Sequence, residues 1–249
     1  MIKMKNICKS YNNGVDFIIH DLNLEIYNGE IIVILGSSGC GKTTTLKMIN
    51  KLITPDSGSI QIDDHSIEQY DPIILRRKIG YVFQSLGLFP HMSIADNISI
   101  VLKLEKIPYK SRMKRTYELL ELMHLEPEIY AHRSIDELSG GQLQRIAVAR
   151  ALANHPNILL MDEPFAALDA ITRNHLQQEV INLNQELKIT IVFVTHDLHE
   201  ALRIADRIVV INRGHIEQIG SKNEILLSPK TEFVKKLIDI SGLSNQNLQ

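Results

Sequence analysis

Hydrophobic positions in this chain first alternate with polar ones and later gather into solid runs. From Met1 to about Tyr27 the alternating stretches Ile2-Lys3-Met4-Lys5, Phe17-Ile18-Ile19 and Leu22-Asn23-Leu24-Glu25-Ile26 predict antiparallel strands, with turns at Asn12-Asn13-Gly14 and Asn28-Gly29. Ile31 to Leu35 is a continuous apolar run, followed by a glycine-rich turn and by Thr44, Thr45, Leu46, Lys47 and Met48 in helical register. After the turn Thr54-Pro55-Asp56-Ser57-Gly58, Ser59 to Asp63 predicts a short strand, and Ile79 to Phe83 predicts another that ends at Gln84. From Leu88 to about Pro156 the period becomes helical, as in Met113, Tyr117, Leu120 and Met123, then Leu143, Ile146, Ala147 and Ala151.

Strands then return. Ile158-Leu159-Leu160-Met161 is the run of a strand buried on both faces. A helix over Ala170 to Leu187, a strand over Ile189 to Val194, a helix near Leu198 to Ala205 and a strand over Arg207 to Asn212 complete the alternation. Strands alternating with helices predict an α/β fold, with a mostly parallel sheet and right-handed crossovers. The expected organisation is one domain over 1–240. Its αβ core is 1–88 and 155–220, opening on an antiparallel β subdomain. An α-helical subdomain, 89–154, is inserted, short helices occupy 221–240 (Lys222–Leu227, Glu232–Ile238), and a flexible polar tail follows at 241–249.

Composition narrows the partners. A formal net charge of −2 gives no electrostatic case for nucleic acid or anionic lipid, and basic stretches such as Arg76-Arg77-Lys78 are short enough to be solvated helix faces. Two cysteines, Cys8 and Cys40, are too few for a disulfide framework. No apolar run nears the roughly 18 residues that span a bilayer, and the first residues lack a signal peptide's apolar stretch. The expectation is a cytoplasmic chain that another subunit would have to hold at any membrane.

The chemistry centres on Gly36-Ser37-Ser38-Gly39-Cys40-Gly41-Lys42-Thr43. Strand before and helix after are the context in which G-x-x-x-x-G-K-[ST] cradles phosphates. Glycines let the backbone curl so that several N–H groups face one anion, and the helix adds its positive end. Lys42 would reach the outer phosphates, the Thr43 hydroxyl would ligate Mg²⁺, and Thr44 continues the site. The motif predicts binding of a nucleoside triphosphate.

Four apolar runs each lead at once into polar residues: Leu35 into the loop, Phe83 into Gln84, Met161 into Asp162-Glu163, and Val194 into Thr195-His196-Asp197. If the strands are parallel, all four ends share one edge, where open α/β sheets bind ligands. Phosphoryl transfer needs positioning and charge stabilisation, so roles follow. Asp162 fits the carboxylate that holds Mg²⁺, Glu163 the general base for an attacking water, Gln84 a group for both, and His196 a donor to the γ-phosphate. Each has a plainer alternative; Asp162-Glu163 before Pro164, for example, suits a helix start.

Leu138-Ser139-Gly140-Gly141-Gln142 opens a further helix. Ser139 and Gln142 form a capping box that needs no ligand, whereas two glycines invite close backbone approach, so the helix start is also a second candidate anion site. With this segment the chain resembles the nucleotide-binding subunits of ATP-binding-cassette (ABC) transporters. The match covers Gly36–Thr43, Gln84, Leu138–Gln142, Ile158–Pro164, Ala167-Leu168-Asp169 and His196, in the family's order over nearly the whole length.

The resemblance implies a P-loop NTPase (RecA-like) core with ATP and Mg²⁺ as ligands. It implies that Tyr11 stacks on adenine, where a strand-end aromatic is the plainer reading. It also implies that Ser139, Gly140, Gly141 and Gln142 face the ATP of a second protomer, with Asp169 at the seam of a head-to-tail homodimer. Transmembrane permease subunits would meet Leu86 to Met92, an apolar segment that could otherwise be buried in the helical subdomain. A substrate-binding protein would be an indirect partner.

Thr43 to Asn50 and Leu88 to Met92 look like importers of quaternary amines such as glycine betaine, choline or carnitine, an analogy since none of these residues touches a solute. Other small solutes, or a soluble ABC ATPase, stay open. A P-loop kinase would leave Leu138–Gln142 and His196 unexplained. Many such importers carry a C-terminal regulatory domain pair, for which the expectation here is no room.

Overall fold

A computed structural model of the chain describes all residues except Asn13, Val15 and 244–249. The turn expected at Asn12-Asn13-Gly14 and most of the expected tail at 241–249 therefore fall outside the described residues. In chain order the elements are β1 (Ile2–Ser10), β2 (Phe17–Ile26), β3 (Ile31–Gly36), α1 (Lys42–Ile49), β4 (Ser57–Ile62), β5 (His65–Ser66), α2 (Pro72–Lys78) and β6 (Ile79–Val82). Next come α3 (Ile94–Leu104), α4 (Tyr109–Leu122), α5 (Pro127–Tyr130), α6 (Gly140–Leu152), β7 (Ile158–Asp162) and α7 (Ala170–Leu187). The chain continues through β8 (Thr190–Thr195), α8 (Leu198–Ile204), β9 (Arg207–Asn212), β10 (His215–Gly220), α9 (Lys222–Leu227) and α10 (Glu232–Ile240). They fall into two compact units, Met1–Leu75 with Gln177–Gln249, and Arg76–Leu176.

The first unit holds two sheets. An antiparallel one runs β2-β1-β4-β5, and the alternation of its strands survives two left-handed residues, Asn6 and Asp21, that fall where the pairing slips. Its inward residues, Ile2, Met4, Ile7, Leu22, Leu24 and Ile26, are buried. In the other, β3 pairs in parallel with β8 and β9, and β10 adds antiparallel to β9. Every residue of β3 and β8 is buried, as unbroken apolar runs require of strands covered on both faces.

β10 is an element that the sequence pattern does not predict. Its alternation breaks at a pairing irregularity between Ile216 and Gln218, and Gln218 is buried, where its amide donates to the carbonyls of Glu224 and Ser228. The sequence pattern does not predict the short helix α2 either; Asp71 starts it by accepting from the N–H of Ile73 and Ile74.

The second unit pairs β6 with β7 in parallel and adds the helices α3 to α6. β7 is buried throughout. The side of α6 that carries Ile146, Ala147, Ala149 and Leu152 is packed inside, with Leu119 and Leu120 of α4 and Ile94 and Ile98 of α3 also buried.

Candidate functional site

In the first unit, Leu35 of β3 pairs with Thr195 of β8 and Gly36 with Ile211 of β9. The glycine loop and His196 therefore leave the sheet at one edge. Gly41 enters α1 with φ 107°, a left-handed backbone open to glycine and strained for other residues. A Cβ there would collide with the Ile19 side chain and lie 2.8 Å from the Ile18 carbonyl, so β2 walls the loop. Ser37, Ser38 and Gly39 are exposed, Cys40 is buried, and α1 has no acidic residue in its first turn to answer its positive end.

Lys42 is only 4% exposed, and its ammonium donates to the carbonyls of Gly36 at 2.9 Å and Ser37 at 3.0 Å. The cation is thereby held inside its own loop. Thr43 is half-buried, while Thr44 is buried and its hydroxyl lies 3.2 Å from the Tyr11 hydroxyl. Tyr11 is 62% exposed, so an open aromatic face is tethered to the helix of the glycine loop.

His196 is exposed on a turn fixed from inside. The buried Thr195 hydroxyl donates to Glu200 at 2.6 Å and accepts from the Asp197 N–H, and Gln177 donates to the other Glu200 oxygen. Asp197 caps α8 through the N–H of His199 and Glu200.

The second unit has a strand edge of its own. Val82 pairs with Met161, so Gln84, exposed, and Asp162-Glu163 follow parallel strands at the same end. Asp162 is 5% exposed and accepts from the Tyr81 hydroxyl at 3.3 Å. Burial, and after it the Asp162 carboxylate, push the Tyr81 phenol well above its ordinary range. Glu163 has φ 42°, a left-handed conformation in a non-glycine residue, ahead of the buried Pro164 and Phe165.

Ser139 caps α6 in a complete capping box: its hydroxyl accepts from the Gln142 N–H, and Gln142 accepts from the Ser139 N–H at 3.0 Å. Ser139 and Gly140 are exposed. Gly140 has room, whereas a Cβ at Gly141 would lie 2.7 Å from Thr172 of α7, so packing already accounts for one of the two glycines. Asp169 caps α7, accepting from the N–H of Ile171 and Thr172, each at 3.0 Å. The Thr172 hydroxyl and then its N–H hold the Asp169 carboxyl below the usual carboxylate range.

Leu86 to Met92 is neither buried nor loose. Gly87, Phe89, Pro90 and His91 are exposed. Its backbone is gripped by Asn97, fully buried, which accepts from the Phe89 N–H and donates to the carbonyls of Phe89, Met92 and Ser93. Arg150 donates to Gly87 and Leu86. Burial pulls the Arg150 guanidinium below its usual value. Tyr81, Asn97 and Arg150 escaped the sequence reading because each looks like an ordinary strand or helix residue until its partners are known.

Among the described residues no group of three His, Cys, Asp or Glu is placed to hold a metal ion. The buried Asp162 carboxylate and the exposed Gln84 amide of the second unit, and the half-buried Thr43 hydroxyl of the first, are each oxygen donors of the kind a hard cation takes.

A glycine-opened, lysine-bearing loop between a buried parallel strand and a helix defines a P-loop nucleotide-binding protein of the α/β class. The family model described as "ABC transporter" matches residues 19–166, and the chain belongs to that family. It is 53% identical over 238 residues to the glycine betaine/carnitine/choline transport ATP-binding protein OpuCA of Bacillus subtilis, covering 96% of this chain and 62% of that protein. It is 50% identical to the carnitine transport ATP-binding protein OpuCA of Listeria monocytogenes, covering 96% of this chain and 59% of that one. The chain thus spans about three-fifths of the length of these relatives. Among solved structures it is similar to the dimeric ATP-binding cassette MJ0796 bound to ADP and Pi, with TM-score 0.79, 37% identity, and coverage of 89% of this chain and 99% of that one. No helix of the described residues is long and apolar enough to cross a membrane.

Proposed function

We propose that this chain is the ATP-hydrolysing subunit of an ABC importer for a quaternary amine such as glycine betaine, choline or carnitine. The observation that carries the ATP reading is the Gly36–Thr43 loop, with Lys42 buried inside it and His196 leaving the same sheet edge. The solute class rests on the printed functions of relatives half identical to the chain.

In this reading the backbone of Gly36 to Thr44 and the Lys42 ammonium bind the phosphates, and Tyr11 offers its exposed ring to adenine. Thr43, Gln84 and Asp162 would hold Mg²⁺, which when bound neutralises charge on the phosphate oxygens. Glu163 takes a proton from the attacking water, with Gln84 orienting that water and His196 donating to the γ-phosphate. Tyr81 keeps the Asp162 carboxylate oriented.

Ser139, Gly140, Gly141 and Gln142 contact the ATP of a second copy of the chain, and Asp169 lies at the seam of that homodimer; the dimeric cassettes among the solved relatives support this. Permease subunits meet Leu86 to Met92 and hold the dimer at the cytoplasmic face of the membrane, and a substrate-binding protein delivers solute to them. The helical stretch 89–154 acts as a subdomain inserted in the αβ core.

Uptake of labelled glycine betaine, choline and carnitine tests the solute class. Cells with Lys42→Ala in this chain should lose uptake of at least one of the three, and unchanged uptake of all three would refute it.

A further inference from the structure

α6 carries Ser139-Gly140-Gly141-Gln142 at its start and Arg150 in its last turn. Its 13 residues make a rod of about 20 Å. Arg150 is 9% exposed, and among the described residues no carboxylate pairs with it. The guanidinium instead spreads its two terminal nitrogens over adjacent carbonyls: Nη1 donates to Gly87 at 2.6 Å and Nη2 to Leu86 at 2.5 Å. It also lies 6.0 Å from the Phe89 ring centroid.

Leu86 and Gly87 have φ 61° and 59°, two left-handed residues in succession. A chain seldom holds that shape unless its surroundings fix it. The same end of α6 sits tightly on β6, since a Cβ at Gly80 would be 2.6 Å from the Ala151 carbonyl. β6 runs directly into Phe83 and Gln84. A buried charge spent on two carbonyls, with the planar fork that matches them, specifies an orientation that a lysine could not reproduce.

We propose that Arg150 is a positioning residue that makes the loop from Ser85 to Met92 move as one body with the helix begun by Ser139–Gln142. Nucleotide engaged at the start of α6 is thereby reported at the loop. This rests on the reading that Ser139–Gln142 meets the ATP of a second copy.

Hydrogen–deuterium exchange on the full chain tests it, for wild type, Arg150→Met and Arg150→Lys, with and without Mg²⁺ and a β,γ-imido ATP analogue. In wild type the analogue should protect both 139–142 and 85–92. In Arg150→Met the amides of 85–92 should exchange about tenfold faster or more without nucleotide. The analogue should then protect 139–142 and leave 85–92 unprotected, with Arg150→Lys intermediate. A role confined to packing would instead speed exchange along all of α6 and β6.

Protection of 85–92 by the analogue in Arg150→Met, equal to wild type, would overturn the proposal. Should Arg150→Met not fold, the same equality in Arg150→Lys would overturn it. Absence of protection at 139–142 in wild type would instead bring down the underlying reading of that segment, and this proposal with it.

Discussion

Glu163 leaves β7 at φ 42°, in a conformation that costs a non-glycine residue about 1–3 kcal/mol. Pro164 and Phe165, which follow it, are buried, as expected where packing and not local preference fixes the backbone. Glu163→Gln keeps shape and strain while removing the base. Hydrolysis should fall by about 10²–10⁴-fold, with thermal denaturation unmoved; a variant that loses stability in step with activity would count against a chemical role. That Glu163 follows a buried strand was readable from Met161-Asp162-Glu163-Pro164. Its left-handed backbone was not, because φ at a strand end is set by what packs beneath it. The Tyr81–Asp162 hydrogen bond was hidden for a related reason: residues far apart in the chain meet only through strand pairing.

At the level of elements, the start of α6 answers to two masters. The capping box between Ser139 and Gln142 is fully formed, and Thr172 crowds Gly141, so much of Ser139-Gly140-Gly141-Gln142 is explained by local structure. Two substitutions separate capping from ATP contact. Ser139→Ala removes the cap and should cost about 1 kcal/mol of stability. Ser139→Asp preserves a good cap and places a negative charge where a γ-phosphate would arrive, so stability should hold while ATP-dependent dimerisation, followed by size-exclusion chromatography, disappears. Dimerisation that survives Ser139→Asp would leave the segment with its structural role alone. The cap is legible in the S-x-x-Q spacing; the crowding depends on Thr172, in the first turn of α7, lying beside Gly141.

For the molecule as a whole, nucleotide binding is linked to stability. Ligand at about 100 times its Kd stabilises the form that binds it by about 2.7 kcal/mol, which for a chain of this size is a rise of about 5–10 °C in melting midpoint. Scanning calorimetry with ATP should show that rise in wild type and lose it in Lys42→Ala, whose ammonium otherwise sits 2.9 Å and 3.0 Å from two loop carbonyls. An equal rise in both would contradict the place given to Lys42. At this scale the pattern is clearest for long apolar runs: β3, β7, β8 and β9 lie where such runs predict strands. The pattern fails at β10, where an irregular pairing and an inward Gln218 erase the period of two, and at α2, where Ile73 and Ile74 are exposed and only Leu75 is buried, so that its apolar positions mark no buried face.

By itself the sequence determined the α/β alternation, the glycine loop with its lysine, and the polar residue that ends each buried strand, because these depend on local geometry and on the contrast between apolar and polar positions. Only the tertiary structure decided that Lys42 folds back on Gly36 and Ser37, that Tyr81 serves Asp162, and that Arg150 grips Leu86 and Gly87. The physical reason is one of distance along the chain: a buried polar group must find a partner wherever the fold supplies one, and no pattern of neighbouring residues records which partner that will be.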